Sequence, residues 1–294
     1  MTYAGRLWSK VARVRQHFAP DPQEDWEQGK IDWIRRVSPG KSFCDVGGLF
    51  RYLGEMAFIA EAAGATDVTV LDVGDPDLPC AENIEWGIFA DKRRDRGSSV
   101  RYVQGDLEDP VALERVGPHD VVFCSGVIYH TPNPLRQLMQ LREITKELLF
   151  LSTLTIPEIP GFPQACVFYP YLSEADRHPY AVGYHFNEGL LGIGEPIDER
   201  PMVGHGNCWF GMTKSALVAM LRTARFEVVE ERPLKMGAWQ TDLIARPIAD
   251  DPMLPPLFYF RERGEARERG EPRWTFETWY EDQRRAAPDS RGAP

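Results

Sequence analysis

The sequence predicts an α/β fold: a Rossmann-like, doubly wound and mostly parallel sheet with an antiparallel final hairpin. Between residues 40 and 154, short apolar runs alternate with longer amphipathic stretches, as strands and helices do in parallel sheets. The apolar run that begins at Val121 shows no alternation, which is typical of a central strand covered on both faces. With 294 residues, 43% of them apolar, the chain is long enough for one large domain.

The elements are predicted in a fixed order along the chain. A helical cap over residues 5–37 is interrupted at Pro20 and Pro22, because proline does not fit a helix interior. Strands follow at residues 42–46, 68–71, 100–103, 121–124 and 148–154, with helices at 49–63 and 134–145. In the helix at 49–63, apolar residues recur at intervals of three and four and Gly64 provides a stop. A helix at residues 213–225 and hairpin strands at 226–231 and 241–245 complete the domain.

Changes in composition divide the chain into three parts. Residues 1–38 form the cap and residues 39–249 the main domain, in which residues 155–211 break the rhythm with many Pro, Gly, Tyr and His. Such a long irregular stretch predicts an inserted lid over one end of the sheet. The extension at residues 250–294 is rich in Arg, Glu and Pro with interleaved aromatics. It is expected to wrap the domain or a partner subunit, which leaves a homodimer open.

Charge and cysteine content exclude several classes of protein. The formal net charge is −10 and the isoelectric point is near 5.2, which disfavours broad nucleic-acid binding unless a basic patch overrides it. No apolar run approaches the ~20 residues that cross a bilayer, and the N-terminus has no leader pattern, so we expect a soluble, cytoplasmic protein. The five cysteines form no CxxC pair, which argues against a disulfide scaffold or zinc site. Cys44 and Cys124 are expected to be small buried hydrophobes.

Acidic residues are predicted at the ends of three successive strands. Asp45 precedes Gly47 and Gly48, where a strand meets a helix and the glycines let the backbone approach a ligand. The full dinucleotide pattern is missing, and a carboxylate there suits a cofactor with an amino group and no phosphates. Asp72 ends the second strand, where a carboxylate can accept both ribose hydroxyls. Asp106 ends the third, where an acid can receive an adenine amino group.

This combination resembles the class I S-adenosylmethionine-dependent methyltransferases over roughly residues 40–246. Within them, the segments DVVFCSGVIYH at 120–130, TPNPLRQL at 131–138, LFLSTLTI at 149–156, NCWFGMTKSAL at 207–217 and RFEVVE at 225–230 look like the tRNA uridine-5-oxyacetic acid (carboxymethyl) transferase family. The resemblance implies S-adenosylmethionine as cofactor and S-adenosylhomocysteine as product. The implied cofactor contacts are Asp45, Gly47, Gly48, Asp72, Val73, Asp106, Leu107, Ser125 and Tyr129, with Trp26 and Lys30 as further candidates.

Two departures from the family pattern bear on the transferred group. Leu49 stands where a small residue is usual, and Gln240 stands where carboxymethyl-transferring enzymes would present an arginine to the extra carboxylate. A buried carboxylate without a cationic partner is costly. The sequence therefore favours ordinary methyl transfer over carboxymethyl transfer.

Candidate acceptor-site residues follow the fourth strand and fill the lid. His130 can serve as a base or orient the turn, and Tyr129 is a candidate cofactor wall or hydrogen-bond donor. Aromatic and imidazole side chains of the lid could enclose a ring-bearing substrate or a choline-like cation; they are Tyr169, Tyr171, His178, Tyr180, Tyr184, His185, His205, Asn207 and Trp209. The histidine spacings match no zinc pattern, so no metal is expected.

The sequence thus predicts a methyltransferase that modifies N, O or C of a small molecule. One alternative is a tRNA-modifying enzyme, which would need a basic surface; only the stretches at residues 92–96 and 261–269 are candidates. The other is a non-catalytic relative that binds the cofactor without turnover.

Overall fold

Helices and strands alternate along the described part of the chain, which in the computed structural model comprises residues 22–50, 52–79, 87–168, 209–232 and 239–248. The helices are α1 (Pro22–Val37), α2 (Glu55–Ala62), α3 (Phe89–Asp95), α4 (Pro110–Val116), α5 (Pro134–Ile144) and α6 (Lys214–Thr223). The strands are β1 (Ser42–Val46), β2 (Asp67–Asp72), β3 (Arg101–Gln104), β4 (His119–Ser125), β5 (Thr145–Leu154), β6 (Cys166–Phe168), β7 (Phe210–Met212), β8 (Phe226–Arg232) and β9 (Gln240–Pro247).

Seven of these strands form one sheet in the order β3-β2-β1-β4-β5-β9-β8. Strands β1 to β5 are parallel, and β9 runs antiparallel to both β5 and β8. The predicted fold class, including the antiparallel final hairpin, is confirmed. Strand β1 lies between β2 and β4. The chain adds β2 and β3 on one side of β1 and then β4 and β5 on the other side, so the strand order switches at β1. In open α/β sheets, ligands bind at the carboxyl ends of the strands where the order switches in this way.

Two apolar clusters cover the two faces of the sheet. Phe43 of β1 belongs to the cluster that includes Trp33 and Ile34 of α1. Its neighbour Cys44 belongs to the opposite cluster, with Leu141 of α5. Adjacent strand residues point to opposite faces, so one strand contributes to both cores. Cys44 and Cys124 are both fully buried, which confirms their predicted place in the core, and burial raises the pKa of each thiol.

Most predicted elements agree with the observed bounds to within three residues. The exception is the helix predicted at residues 49–63, which begins only at Glu55. Leu53 (φ 46°) and Gly54 (φ 76°) adopt left-handed backbone conformations that a right-handed helix cannot contain. A loop therefore precedes α2, and the N–H of Gly54 closes it by donating to the carbonyl of Gly48 at 2.8 Å.

The predicted insertion carries some regular structure. Strands β6 and β7 lie near its two ends and pair antiparallel, with Cys166 opposite Met212. Residues 169–208 between them, the first piece of the predicted cap and the extension at residues 250–294 lie outside the described residues. No helix of the described part is long and apolar enough to cross a membrane.

Candidate cofactor-binding site

Asp45 and Asp72 meet at the carboxyl ends of β1 and β2. The two strands are in register, with Asp45 opposite Val70 and Val46 opposite Leu71, so the side chain of Asp72 follows directly beyond the end of β1. One carboxylate oxygen of Asp72 accepts from the N–H of Leu49 at 2.9 Å and the other from the N–H of Gly74 at 2.8 Å. These bonds hold the Asp72 carboxylate beside the turn that follows β1. Burial nevertheless raises its pKa.

The carboxyl group of Asp45 is enclosed, with 2% of the residue exposed. The backbone N–H of Ala57, in the first turn of α2, donates to it, but its Oδ2 atom has no hydrogen-bond partner among the described residues. Burial and the negative charge of Asp72 raise the pKa of Asp45 to about 7, against the opposing effects of the Lys30 ammonium and the Ala57 N–H. A buried carboxyl oxygen without a donor is costly, so this atom is suited to receive a cationic group.

The two glycines after β1 allow the backbone of this turn to pass close to its neighbours, including the acid. Gly47 has φ 77°, a conformation that favours glycine, and its N–H donates to the carbonyl of Leu71 at 2.8 Å. A Cβ at Gly48 would lie 2.5 Å from Oδ2 of Asp45, so a larger residue there would cover that oxygen. The geometry of this turn therefore explains why glycine occupies both positions.

Lys30 brings a buried cation to the same face of the sheet. It lies on α1 and is fully buried, and its Nζ donates to Oγ of Ser125 at 2.7 Å and to Oγ of Ser152 at 3.1 Å. Ser125 ends β4 and is paired with Ser152, which lies two residues before the end of β5. The Nζ atom also lies 5.8 Å from the ring centre of Phe123, within the range of a cation–π contact. The sequence indicated Lys30 only as a further candidate, and its serine partners are remote in the chain.

The third strand end is more open. Asp106 is exposed, and its Oδ1 accepts the N–H of Glu108 at 2.7 Å. Leu107 is 4% exposed and packs into the core with Val103, whereas Val73, after β2, is 66% exposed. Of these three predicted contacts, only Asp106 and Val73 therefore offer their side chains to the surface.

Tyr129 and His130 lie on a short 3-10 turn, Ile128–His130, directly after β4. Their ring centres are 4.1 Å apart, and a Cβ at Gly126 would lie 3.6 Å from the Tyr129 hydroxyl. Thr131, the next residue, donates to the carboxylate of Glu108 at 2.7 Å. This bond ties the turn to the loop that carries Asp106, and sequence reasoning did not identify Glu108 in this role.

The predicted acceptor residues are described only in part. The backbone N–H of Trp209 donates to the carbonyl of Tyr129 at 3.1 Å, so Trp209 is joined to the candidate site. The other lid residues, Tyr169, Tyr171, His178, Tyr180, Tyr184, His185, His205 and Asn207, lie outside the described residues, as does the side chain of Trp26.

The chain is similar to a curated protein and to several solved structures, although no protein-family model matches it. The tRNA U34 carboxymethyltransferase of Chromohalobacter salexigens is 29% identical over 154 residues, which represent 48% of this chain and 40% of the relative. The chain thus matches less than half the length of that relative. The relative belongs to the family that the sequence motifs resemble, so the predicted resemblance is confirmed. Carboxymethyl transfer to tRNA is the activity named for that relative.

Three solved structures are similar in fold. Magnesium protoporphyrin IX methyltransferase of Synechocystis, with bound S-adenosylhomocysteine, is 14% identical with a TM-score of 0.46 and covers 82% of this chain and 95% of its own. The Burkholderia thailandensis 1,6-didemethyltoxoflavin-N1-methyltransferase is 16% identical with a TM-score of 0.45, and the match covers 84% of this chain and 89% of that protein. The [4+2]-cyclase SpnF is 14% identical with a TM-score of 0.47, and the match covers 74% of this chain and 81% of that protein. At this distance, likeness carries no argument about what the present chain binds.

Proposed function

We propose that the chain is an S-adenosylmethionine-dependent methyltransferase that acts on a small-molecule acceptor. The observation that carries the proposal is the pair of carboxyl groups at the switch point of the sheet. Asp45 presents a buried oxygen without a hydrogen-bond partner among the described residues, which suits the ammonium group of the donor. Asp72 lies at the end of the neighbouring strand, where a carboxylate suits the ribose hydroxyls.

The other residues have roles that follow from their positions. Gly47 and Gly48 leave room for the donor, Val73, Asp106 and Leu107 lie on the side proposed for adenine, and Ser125 and Tyr129 lie on the side proposed for the reacting group. When bound, S-adenosylmethionine supplies a methyl group that its sulfonium already activates. The protein's task is then to align the acceptor and, where the acceptor carries a proton, to remove it. We assign alignment to Tyr129 and Trp209, and proton removal or orientation to His130.

The described basic surface supports a small molecule rather than a polynucleotide. In the basic stretch at residues 92–96, Arg94 pairs with Asp91 at 2.7 Å and Arg96 with Glu55 at 2.8 Å. Arg93 donates to the carbonyl of Val100 at 3.4 Å. The charges of Arg94 and Arg96 are thus partly compensated by acidic side chains, which leaves less positive charge for phosphate groups.

Calorimetry with S-adenosylhomocysteine tests the assignment of Asp72. We expect Asp72→Ala to weaken binding by about 1.5–3 kcal/mol, or roughly 10- to 150-fold, because a charge-assisted hydrogen bond to the ribose is lost. Asp72→Asn preserves the shape of the side chain and an acceptor for one of the two loop N–H groups, those of Leu49 and Gly74, so it disturbs the loop less than alanine does. Asp77→Ala, an exposed acid in the same loop, should leave the affinity unchanged. Unchanged affinity in folded Asp72 variants would contradict the ribose assignment.

The second candidate function is carboxymethyl transfer, and the position of Lys30 favours it. Gln240 lacks the charge that an extra donor carboxylate needs, but its Nε2 donates to Oγ of Ser152 at 3.3 Å, the same atom that receives Nζ of Lys30. A buried cation therefore lies in the same side-chain cluster as Gln240, which weakens the sequence argument against a carboxylated donor.

A comparison of two donors separates these candidates. If the main proposal holds, S-adenosylmethionine binds wild-type protein at least as tightly as its carboxylated form. A preference of about tenfold or more for the carboxylated form, abolished in Lys30→Met, would establish the second candidate instead, because tenfold corresponds to roughly one charge-assisted contact. Methionine retains most of the buried volume of lysine, and circular dichroism checks that the variant is folded.

A further inference from the structure

The carboxyl group of Asp45 is held in a setting that disfavours its charge. It is buried, and one of its oxygens receives no hydrogen bond from the described residues. The position that a Cβ at Gly48 would take lies 2.5 Å from that oxygen and 3.1 Å from Cγ1 of Val70. An ionised oxygen in such a place lacks both water and a donor, whereas a protonated carboxyl tolerates it.

The groups that face Asp45 do not neutralise it. Asp72 on β2 adds a second negative charge, Lys30 on α1 adds a positive one, and the Ala57 N–H of α2 donates one hydrogen bond. The thiols of Cys44 on β1 and Cys124 on β4 stay protonated, because burial raises the pKa of each and the charge of Asp45 raises it further. The ammonium group of Lys30 is engaged with Ser125 and Ser152. The net effect raises the pKa of Asp45 to about 7.

We infer that a proton and the ammonium group of the donor compete for Asp45, so that binding of the donor near neutral pH releases one proton from this carboxyl group to solvent. The inference rests on the proposed function and adds a proton to the binding equilibrium. The O–H bond of the Asp45 carboxyl breaks, the proton passes to buffer, and an ion pair between carboxylate and ammonium takes its place. No other reactant is needed.

The sign of the pH dependence follows from this exchange. The ammonium partner lowers the pKa of Asp45 in the complex below its value of about 7 in the free protein. Between the two values, binding releases a proton, and affinity falls as the pH falls. Well above pH 7 the free carboxyl group is already ionised, and Asp45 contributes no further release. We therefore expect affinity to be roughly five- to tenfold weaker at pH 6 than at pH 7.5.

Calorimetry in paired buffers measures the released proton directly. S-adenosylhomocysteine is titrated into the protein at pH 6.5 in phosphate and in Tris-based buffers of different ionisation enthalpy, and the difference in heat gives the number of protons. We expect release of about 0.5–1 proton per bound molecule. 5′-Methylthioadenosine, which has the same adenosine thioether but no ammonium group, should bind without this release.

Variants identify the source of the proton. Asp45→Asn should abolish the release while the weakened binding remains measurable at high protein concentration. Asp72→Asn removes the neighbouring negative charge, so it should move the pH dependence to lower pH without abolishing it. Asp77→Asn should behave as wild type. If Asp45→Asn does not fold, the shift in Asp72→Asn and the contrast between the two ligands still decide the matter.

The outcomes separate this inference from the proposed function. Tight binding of S-adenosylhomocysteine without proton release, or with equal release in Asp45→Asn, would overturn the inference and leave the proposed function intact. No binding between pH 5.5 and 7.5 would overturn both. Equal release with 5′-methylthioadenosine would show that the adenosine moiety, not the ammonium group, displaces the proton, and would also overturn the inference.

Discussion

Two separate features of the structure, the backbone conformation and a close neighbour, favour glycine at Gly47. Its φ of 77° lies in the left-handed region, where a Cβ costs about 1–2 kcal/mol. A Cβ there would also overlap Cγ2 of Val127, on the loop that follows β4, and overpacking costs about 1–3 kcal/mol. We expect Gly47→Ala to lower the free energy of unfolding by about 2–5 kcal/mol, as measured by urea denaturation with circular dichroism.

Gly97 provides the matched control for this substitution. Its φ is 60°, but a Cβ there would meet no atom within 4 Å, so Gly97→Ala should cost only about 1–2 kcal/mol. The difference between the two variants isolates the contact with Val127. Equal losses would mean that the two loops yield freely and that the turn after β1 is less rigid than its geometry indicates.

The candidate site was only partly predictable from the sequence. Asp45 and Asp72 could be identified because each follows an apolar run that ends in a turn, so their places at strand ends were encoded locally. The contacts of Lys30 could not be predicted, because Ser125 and Ser152 lie far along the chain and only the register of β4 and β5 brings them together. The same applies to Glu108 and Thr131, whose hydrogen bond joins two separate loops.

Among helices and strands, the longer and more deeply buried elements were the ones that could be predicted from the sequence. Strand β1 was predicted to the residue, and the central strand β4 was recognised by its continuous apolar run. Helices α3 and α4 were missed, because seven residues are too few to show a helical period. For α4 a signal was present: Asp109 caps it by accepting the N–H of Val111 at 2.9 Å, and Pro110 occupies its first turn.

Strands β6 and β7 lacked any comparable signal. Each has three residues, and an alternating pattern cannot be recognised over so short a run. Their pairing depends on residues more than 40 positions apart, such as Val167 and Gly211. Tertiary context alone therefore specifies this small sheet, and with it the start of β7 beside Trp209.

The two apolar cores of the domain share the strands that separate them. Phe123 and Cys124 are neighbours on β4 but belong to opposite clusters. Loss of packing on one face of the sheet therefore also exposes the strands that support the packing on the other face. Helix α1 is joined to the far edge of the sheet as well, since Arg232 of β8 donates to the carbonyl of Gly29 at 2.9 Å. This arrangement implies that the described domain unfolds as one cooperative unit rather than face by face.

One substitution on each face tests this cooperativity. Leu141→Ala truncates the cluster under α5, and Ile34→Ala truncates the opposite cluster under α1; both side chains are fully buried. Each change should lower the free energy of unfolding by about 2–5 kcal/mol. Because the strands are shared, each variant should also reduce native-state hydrogen-exchange protection of the β1 and β4 amides by the same free energy. Loss of protection confined to α1 in Ile34→Ala, with β4 unchanged, would show that the helix is a separately unfolding cap on an independently stable sheet.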